Sequence, residues 1–373
     1  MNVLLINCIL CTAEKGVIPK RKSIKDTMIC NYAMGFVANG DQVTILASEE
    51  YRPTEHETYP FEVVYFKSRF PKLFKPDLLP WPVGMRKYLK ENLQRFDMVV
   101  SSEVFSMASL IAANVCGDKL IIWHELAKHQ KFLFTIPARL WYNVVVPLLI
   151  RKPLVVPRSE AAYDFVKRYV KNISKETVEH GANEAVLRLG NTVRDEFIVL
   201  SQLIPRKRID RIIRKFTAFI SDSRYSHYVL NVVGDGECKE SLMELCRELG
   251  VDKNVIFYGF MCHKEMAEVL RVSKALLIDT EQDNNMVSIS ESVVCGTPVL
   301  TNMCPTNAKF IAQCGVGIAL DGWNCTELRE IADRYELYHK ACIEVREEFT
   351  NLGCARKMKL IYNNWVTRCG RLQ

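Results

Sequence analysis

Short apolar runs rich in valine and isoleucine alternate along the chain with segments of helical periodicity. The runs show little internal alternation of polar and apolar side chains, which is typical of strands buried on both faces of a parallel sheet. Two successive sets of such runs predict an α/β fold of two Rossmann-like, doubly wound parallel-sheet domains facing a cleft. The predicted strands are 2–8, 42–47, 62–66, 97–101, 119–123, 153–157, 196–201, 228–233, 254–258, 275–280, 298–301 and 316–319.

A chain of 373 residues is long enough for two cores. The apolar periodicity lapses near 179–194, where two glycines occur. We therefore place an N-terminal domain at 1–180 and a C-terminal domain at 181–354. We expect the last helix, within 355–373, to cross back and complete the N-terminal domain.

The formal net charge is +7, and residues 191–373 carry equal numbers of acidic and basic side chains, so the excess lies in the first half. Within 66–95 the basic residues are interleaved with aromatic and leucine side chains. Two interpretations stand: contact with an anionic membrane surface, or a solvated loop followed by one amphipathic helix. No nucleic-acid-binding module is recognisable, so we expect no nucleic-acid partner.

Fourteen cysteines are scattered among the predicted strands and helices, which is typical of reduced thiols in a cytoplasmic protein. Cys8 and Cys11 form a CxxC pair, but no second pair or histidine cluster is near, so we interpret them as buried thiols. No Asp-x-Asp cluster stands in a suitable place, and we predict no metal site.

The most informative stretch is 274–302, KALLIDTEQDNNMVSISESVVCGTPVLTN, in which a strand leads through a polar loop into a short helix. The loop carries Asp283, and Glu291 follows one turn into a helix that begins near Val287. A helix N-terminus after a parallel strand suits a phosphate, and flanking carboxylates can bind sugar or ribose hydroxyls. The stretch therefore predicts a site for a nucleotide that carries a sugar.

Other predicted strand ends of the second half offer compatible groups. Strand 196–201 is followed by polar and cationic side chains, any one cation of which could neutralise a leaving diphosphate, although a surface basic turn is the simpler interpretation. Strand 254–258 leads into a helix whose first backbone groups could face a base, with His263 interpreted as a helix residue without a ligand. The residues concerned are Gln202, Arg206, Lys207, Arg208, Met261 and Cys262.

In the first half, strand 119–123 ends at His124 and Glu125. His124 could contact a transferred sugar and Glu125 an acceptor hydroxyl, while a structural histidine is the alternative. The loop from Thr12 to Asp26 is long and basic and contains Gly16, so it could cover an anionic donor.

Several of these segments resemble the retaining GT-B glycosyltransferases that build bacterial polysaccharides, lipopolysaccharide and glycolipids. The resemblance covers nearly the whole chain and is strongest from about 153 to 302. The segments that carry it are VVPRSEAAYDFVKRY, VEHGANEAVL, FIVLSQLIPRKRIDRIIRKF, VVGDGECKESLMELCRELGVDKNVIFYGFMCHKEMAEVL and ESVVCGTPVLTN.

The resemblance implies a role for each matching residue. Lys207 falls on the family's diphosphate-binding lysine, Glu291 on the glutamate that holds the ribose, and Asp283 on the glutamate that faces the donor sugar. His124 falls on the strand-end histidine beside that sugar, and Met261 and Cys262 fall where the backbone touches the base. The donor loop comprises Asn284, Asn285, Met286 and Val287, with the backbone N–H groups of the last three directed at the phosphate or sugar.

The chain departs from the family pattern at three places. Gln202 stands where the family has a phosphate-binding arginine. Arg206 or Arg208 could supply the missing positive charge. Asp283 is one methylene shorter than the usual glutamate. Gly16 is the only glycine near the end of the first strand, where the family often has a pair.

We therefore predict an enzyme, a retaining hexosyltransferase of the GT-B fold that needs no cofactor and uses a UDP- or GDP-sugar as donor. The resemblance places the acceptor, a glycan or lipid-linked hydroxyl, on the N-terminal domain. We expect a cytoplasmic location, with peripheral contact on the inner face of the plasma membrane through 66–95. Two alternatives stay open: a GT-B sugar-nucleotide epimerase, and an inactive GT-B scaffold protein.

Overall fold

The computed structural model describes residues 1–11, 13, 16–25, 27–127, 131–190, 192–283 and 285–370. The chain divides into two compact units, the first formed by Met1–Gly181 with Asn351–Gln373 and the second by Ala182–Thr350. Each unit holds one six-stranded sheet whose paired strands are all parallel. The predicted fold class, two doubly wound parallel sheets with helices, is confirmed.

The first sheet has the strand order β3-β2-β1-β4-β5-β6. Its strands are β1 (Asn2–Ile6), β2 (Gln42–Ser48), β3 (Glu62–Phe66), β4 (Met98–Ser102), β5 (Leu120–His124) and β6 (Leu154–Pro157). Leu4 and Ile6 face one core cluster, whereas Val3 and Leu5 face another. Both faces of β1 are therefore buried, which explains why its sequence is apolar without alternation.

Helices cover both faces of the first sheet. They are α1 (Met28–Ala38), α2 (Met85–Asn92), α3 (Met107–Ala113), α4 (Ile136–Leu140), α5 (Val146–Leu149), α6 (Glu160–Val166) and α14 (Asn351–Gly370), with a single π-helical segment, Trp141–Val145, joining α4 to α5. α14 packs on α1 within the first unit. A Cβ on Gly35 of α1 would lie 2.0 Å from the carbonyl oxygen of Asn351, so this close helix approach requires glycine.

The second sheet has the strand order β12-β11-β10-β7-β8-β9. Its strands are β7 (Glu196–Leu200), β8 (Val229–Val233), β9 (Val255–Gly259), β10 (Ala275–Leu277), β11 (Val299–Thr301) and β12 (Gly317–Ala319). Its helices are α7 (Ile209–Ile220), α8 (Lys239–Glu248), α9 (His263–Leu270), α10 (Val287–Cys295), α11 (Ala308–Cys314), α12 (Cys325–Asp333) and α13 (Tyr335–Phe349).

Strand β10 ends at Leu277, three residues before the predicted end at 280. Asp279 forms an ion pair with Lys215 at 2.6 Å, and the side chain of Thr280 bonds to the following loop. Ile278 still donates its backbone N–H to the carbonyl of Leu300 in β11 at 2.8 Å, whereas these polar side-chain contacts hold residues 279 and 280. The sequence prediction extended the strand because Ile278 continues the apolar run.

Each sheet reverses its strand order once, between β1 and β4 in the first unit and between β7 and β10 in the second. Ligands of doubly wound sheets bind beyond the carboxyl ends of the strands at such a switch point. In the second unit this point lies between the loop after β7 and the loop that leads from β10 to α10, which contains the predicted site residues.

Candidate functional site

The loops after β7 and β10 are joined at the switch point of the second unit. The backbone N–H of Glu281 and the hydroxyl of Thr280 donate to the carbonyl of Arg206 at 2.8 and 3.1 Å. Lys207 Nζ lies 2.7 Å from Asp283 Oδ2, and Arg206 Nη1 lies 3.2 Å from Asp283 Oδ1. The structure thus brings Lys207 and Asp283, 76 residues apart in sequence, into direct contact.

This cluster of Lys207, Arg206 and Asp283 carries a surplus positive charge, because two cations share one carboxylate. The side chain of Lys207 is 11% exposed, whereas that of Arg206 is 42% exposed. The surplus charge is therefore accessible to an anion from solvent. A partly buried position strengthens its attraction for a phosphate compared with a fully hydrated lysine.

Arg208 directly follows the 3₁₀ turn Pro205–Lys207 of the same loop and does not join this cluster. It adopts a left-handed backbone conformation with φ of 46°. Its guanidinium bonds to Asp210 at 2.9 Å and to Glu281 at 2.6 Å, and Glu281 also pairs with Arg211. The hydrogen bonds that Arg208 donates to Asp210 and Glu281 raise its pKa. Of the two candidates to replace the family's arginine, only Arg206 contacts Asp283.

Gln202 lies just past β7 with an exposed side chain that has no hydrogen bond to the described residues. The Gly-Asp-Gly turn after β8 packs against this loop, because a Cβ on Gly234 would lie 1.8 Å from the carbonyl oxygen of Ser201. The first glycine of that turn therefore serves a close backbone approach, and it is not itself a sign of phosphate binding.

At the N-terminus of α10, several polar groups have no partner among the described residues. Among the described residues, none accepts a hydrogen bond from the backbone N–H of Val287 or Ser288, and the buried Ser288 hydroxyl also has no partner. Met286 differs from the prediction. Its N–H donates to Asn307 Oδ1 at 3.2 Å and its carbonyl accepts from Asn307 Nδ2, so the Met286 amide is not free for a phosphate.

The preceding loop residues are held differently. Asn285 is buried, and its side-chain oxygen accepts a hydrogen bond from the hydroxyl of Thr306. This contact fixes the loop immediately before the helix. Asn284, which the sequence also predicts in the donor loop, lies outside the described residues.

Glu291 projects from α10 towards the first turn of α9. Its Oε1 lies 2.9 Å from His263 Nε2, with Glu291 10% and His263 43% exposed. His263 therefore partners a predicted site residue, although its sequence position suggested only a helix terminus. The rim of the site includes this exposed imidazole.

The loop after β9 carries Met261 and Cys262. The N–H of Cys262 donates to Glu265 at 3.0 Å, and its carbonyl accepts from Met266 at 3.0 Å, so the backbone of Cys262 is engaged in capping α9. This corrects the prediction that Cys262 presents its backbone to a base. Among the described residues the backbone of Met261 has no such partner, and Met261 keeps that predicted role.

In the first unit, His124 is the last residue of β5 and is fully buried. Its Nδ1 lies 2.9 Å from Oε2 of Glu103, which follows β4 in a left-handed conformation with φ of 68°. Its Nε2 is buried and has no described hydrogen-bond partner. The carboxylate of Glu103 thus orients an imidazole with one nitrogen available.

Glu125 differs from its neighbour because both of its carboxylate oxygens are engaged. Arg158 Nη1 lies 2.8 Å from Oε2, and His180 Nε2 lies 3.3 Å from Oε1. Burial alone would raise the pKa of Glu125, but the charge and hydrogen bond of His180 and the charge of Arg158 lower it to about 2. Both oxygens of this ionised carboxylate are thus engaged within the first unit, and the contact of Glu125 with an acceptor hydroxyl stays a prediction.

Gly16 lies in an exposed turn with φ of 75°, and a Cβ there would be 3.7 Å from Asp77 Oδ2. The positive φ explains a glycine at this position. Thr12 and Asp26, the ends of the predicted covering loop, lie outside the described residues. Its proposed contact with a donor stays a prediction.

The described residues also bear on two other kinds of site, metal centres and membrane-spanning helices. They contain no group of three or more His, Cys, Asp or Glu side chains arranged to hold a metal ion. No described helix is long and apolar enough to cross a bilayer. Burial raises the pKa of the Cys8 thiol to about 12, which fits the interpretation of Cys8 as a core residue.

Sequence reasoning missed Glu103 and Ser288. Glu103 directly follows a predicted parallel strand next to the switch point, which is a signal that could have identified it. Ser288 has no comparable signal, since its orphan hydroxyl depends on the local packing of α10.

Comparison with known proteins gives one family match. Residues 189–344 match the family described as "Glycosyl transferases group 1", and this span lies entirely within the second unit. No curated protein matches the chain in sequence.

Solved structures match over nearly the whole chain. Sucrose-phosphate synthase from Thermosynechococcus elongatus has a TM-score of 0.64 at 12% identity, with 98% of this chain and 99% of that chain covered. The lipopolysaccharide outer core galactosyltransferase WaaB has a TM-score of 0.64 at 14% identity, covering 99% of each chain. Anabaena HepE in complex with UDP has a TM-score of 0.63 at 12% identity, covering 98% and 100%. At these identities the likeness concerns the fold.

Proposed function

This chain is a group 1 glycosyltransferase, as its sequence predicts, and on that premise we propose that it moves a hexosyl group from a UDP- or GDP-sugar to a glycan or lipid-linked hydroxyl. The family works with retention of configuration at the anomeric carbon. The observation that carries the proposal is the positively charged cluster of Lys207, Arg206 and Asp283 at the switch point of the second unit.

The leaving nucleotide diphosphate is the first ligand that this cluster suits. Transfer breaks the bond between the anomeric carbon and the diphosphate oxygen, so negative charge develops on the leaving group. Lys207 and Arg206 would neutralise that charge, and the free N–H groups of Val287 and Ser288 would donate to it. The chain supplies this stabilisation with its own side chains and helix N-terminus.

Donor binding would exchange one ion pair for two new contacts. In the free protein Lys207 is held by Asp283 at 2.7 Å. When the diphosphate takes Lys207, an oxygen of Asp283 becomes available to accept from a sugar hydroxyl. The same carboxylate therefore holds the lysine in place before binding and selects the sugar afterwards.

Glu291 is suited to the ribose of the nucleotide. Its carboxylate can accept hydrogen bonds from vicinal hydroxyls, and His263 Nε2 already lies 2.9 Å from one of its oxygens. Met261 retains free backbone groups for the base. His124 keeps the role that the resemblance gives it, a hydrogen bond from Nε2 to the donor sugar, with Glu103 as its orienting partner.

We favour uracil as the base of the donor nucleotide. HepE, which shares the fold, was solved in complex with UDP and with UDP-glucose. A GDP-sugar remains the second donor to test. Among the neighbours, WaaB is a lipopolysaccharide galactosyltransferase, which supports a hexose as the transferred group and a bacterial surface glycan as the product.

The acceptor is a growing glycan on a membrane lipid, reached by an enzyme held at the inner face of the plasma membrane. Residues 66–95 support this location, because Phe70, Leu73, Leu78 and Val83 are exposed among basic side chains. The same segment contains the short amphipathic helix α2, whose Met85 and Leu89 are buried.

A thermal-shift screen followed by an activity assay tests the function. The correct nucleotide sugar stabilises the native state and raises the melting temperature, by an amount equivalent to about 2.7 kcal/mol at 100 times its Kd. The same donor should then release nucleotide diphosphate when a lipid-linked acceptor is added. Binding without release but with isomerised sugar would indicate an epimerase, and no binding to any nucleotide sugar would indicate an inactive scaffold.

A further inference from the structure

A stripe of exposed apolar side chains runs along α4, the π-helical segment and α5 in the first unit. Its members recur every four residues and are 74, 59, 47 and 68% exposed in the order Ile136, Leu140, Val144 and Leu148. Phe134 and Leu149 beside them are 51 and 50% exposed. We call the first four residues the apolar stripe. Such a continuous exposed patch is uncommon on a soluble surface and indicates an interaction site.

The opposite side of the same segment is firmly packed. Trp141, Tyr142, Val146 and Ile150 are buried in the core on one face of the first sheet. The indole N–H of Trp141 donates to the carbonyl of Val104 at 2.9 Å. The helix is therefore anchored to its unit, and the stripe is a fixed outward face that the fold does not use.

The segment of sequence that carries the stripe has charges of one sign. The sequence has no Asp or Glu between Glu125 and Glu160. Arg139, Arg151 and Lys152 are exposed, and among the described residues none of these side chains has an ion-pair partner. An apolar face whose own segment of sequence carries only basic charges complements a membrane surface, which has an apolar interior and anionic headgroups.

We infer that the apolar stripe inserts into an anionic lipid surface, with Arg139, Arg151 and Lys152 contacting the headgroups. The segment 136–149 spans about 21 Å at the α-helical rise, which is too short to cross a bilayer but suits a helix that lies in its interface. A second copy of the chain fits less well, because a symmetric contact would bring the basic borders together.

The neighbouring surface supports the same occupant. Phe74, Leu79 and Trp81 of segment 66–95 pack against the same core cluster as the inner face of the stripe segment. Both segments therefore cover one face of the first sheet and expose basic and apolar side chains there. The inference extends the proposed function, in which a membrane lipid carries the acceptor. It rests on that function, because the lipid contact would bring the enzyme to its acceptor.

Vesicle flotation tests the inference directly. The full-length protein is mixed with phosphatidylcholine vesicles with and without phosphatidylglycerol, and compared with a variant that carries Ile136→Gln, Leu140→Gln, Val144→Gln and Leu148→Gln. Glutamine preserves helix propensity at these exposed positions. The matched control carries Leu337→Gln and Ile343→Gln, which alter exposed apolar residues of α13 in the second unit.

We expect the wild type and the control to float with anionic vesicles, and the stripe variant to partition at least about tenfold less. Replacing Arg139 with glutamine should weaken partitioning about fivefold, and only on anionic vesicles. Equal flotation of stripe variant and wild type, or no flotation of the wild type, would overturn the inference. So would a wild-type dimer in lipid-free gel filtration that the stripe substitutions dissociate, because the stripe would then be a protein interface.

The same samples separate this inference from the proposed function. Melting temperature and hydrolytic release of nucleotide diphosphate from the donor are measured without lipid. Flotation together with no donor turnover in any sample would contradict the transferase proposal alone. Donor turnover together with no flotation would contradict the lipid contact alone.

Discussion

Two ion pairs at strand ends, Lys207 with Asp283 and Arg158 with Glu125, differ in how completely their charges are satisfied. Both Glu125 oxygens are engaged, and the guanidinium of Arg158 lies 3.7 Å from the ring centre of Trp123 and is only 2% exposed. Asp283 instead faces two cations, one of them partly exposed. A network whose carboxylate is fully paired holds a fold together, and we call Glu125, Arg158 and His180 the saturated network for this reason. An accessible pair with surplus charge can instead exchange partners with a ligand.

The largest expected effect is loss of stability in the saturated network. Glu125→Ala removes the carboxylate that pairs with the buried Arg158 and with His180, so we expect the free energy of unfolding of the first unit to fall by about 3–5 kcal/mol. Urea unfolding followed by tryptophan fluorescence measures it, since four of the five tryptophans belong to that unit. Glu91→Ala, which removes an exposed pair with Lys87, is the control and should change stability by less than about 1 kcal/mol.

The next largest effect is on turnover, and it comes from the exchangeable pair of Lys207 and Asp283. Lys207→Ala removes a cation that contacts developing negative charge, so we expect kcat/KM to fall about 100-fold with little change in melting temperature. Arg208→Ala is the matched control, because its guanidinium is bonded to Asp210 and Glu281, and it should retain activity within about threefold. Equal losses in the two variants would mean that the loop acts only as a diffuse basic surface.

Acid should weaken the saturated network in a defined range. The pKa of Glu125 is about 2 in the folded protein against an ordinary value of 4.5, so its stabilising contribution is complete above about pH 4.5 and is lost as the pH falls towards 2. Between about pH 5 and pH 3 this group should cost the first unit about 2 kcal/mol. Glu125→Gln cannot titrate at this position. Its free energy of unfolding, measured by urea unfolding, should therefore fall less steeply with pH over the same range. If the free energies of unfolding of the wild type and Glu125→Gln fell in parallel with pH, the lowered pKa of Glu125 would be contradicted.

The smallest effect concerns the ribose contact. Glu291→Gln removes the charge from a hydrogen-bond acceptor, so we expect the Kd for the nucleotide diphosphate to rise about tenfold. His263→Ala leaves the carboxylate in place and should change Kd by less than about threefold. Calorimetric titration measures both, and a larger effect of the histidine would make it the principal ribose contact.

The sequence predicted the repeating architecture because buried parallel strands have a strong apolar signature. All twelve predicted strands appear, and α10 begins at Val287. Lys207 and Asp283 were identified from their strand-end positions. Periodicity does not report where a strand stops when polar side chains bond to another loop, which is why the end of β10 was placed too late.

Contacts between distant side chains could not be predicted in the same way. The Met286 amide is occupied by Asn307, which is 21 residues away in the loop after β11. The left-handed conformation of Arg208, and hence its separation from Arg206, depends on local packing and not on residue type. Glu125 and His124 are adjacent in sequence, yet only the structure separates a saturated carboxylate from an imidazole with one nitrogen available.

Calorimetric titration of UDP and GDP into the wild type, Lys207→Ala and Arg208→Ala tests the central claim most directly. The account predicts that one nucleotide diphosphate binds the wild type and Arg208→Ala with similar Kd, and binds Lys207→Ala about tenfold or more weakly. Binding to Lys207→Ala as tight as to the wild type would contradict the claim that the cluster of Lys207, Arg206 and Asp283 holds the diphosphate.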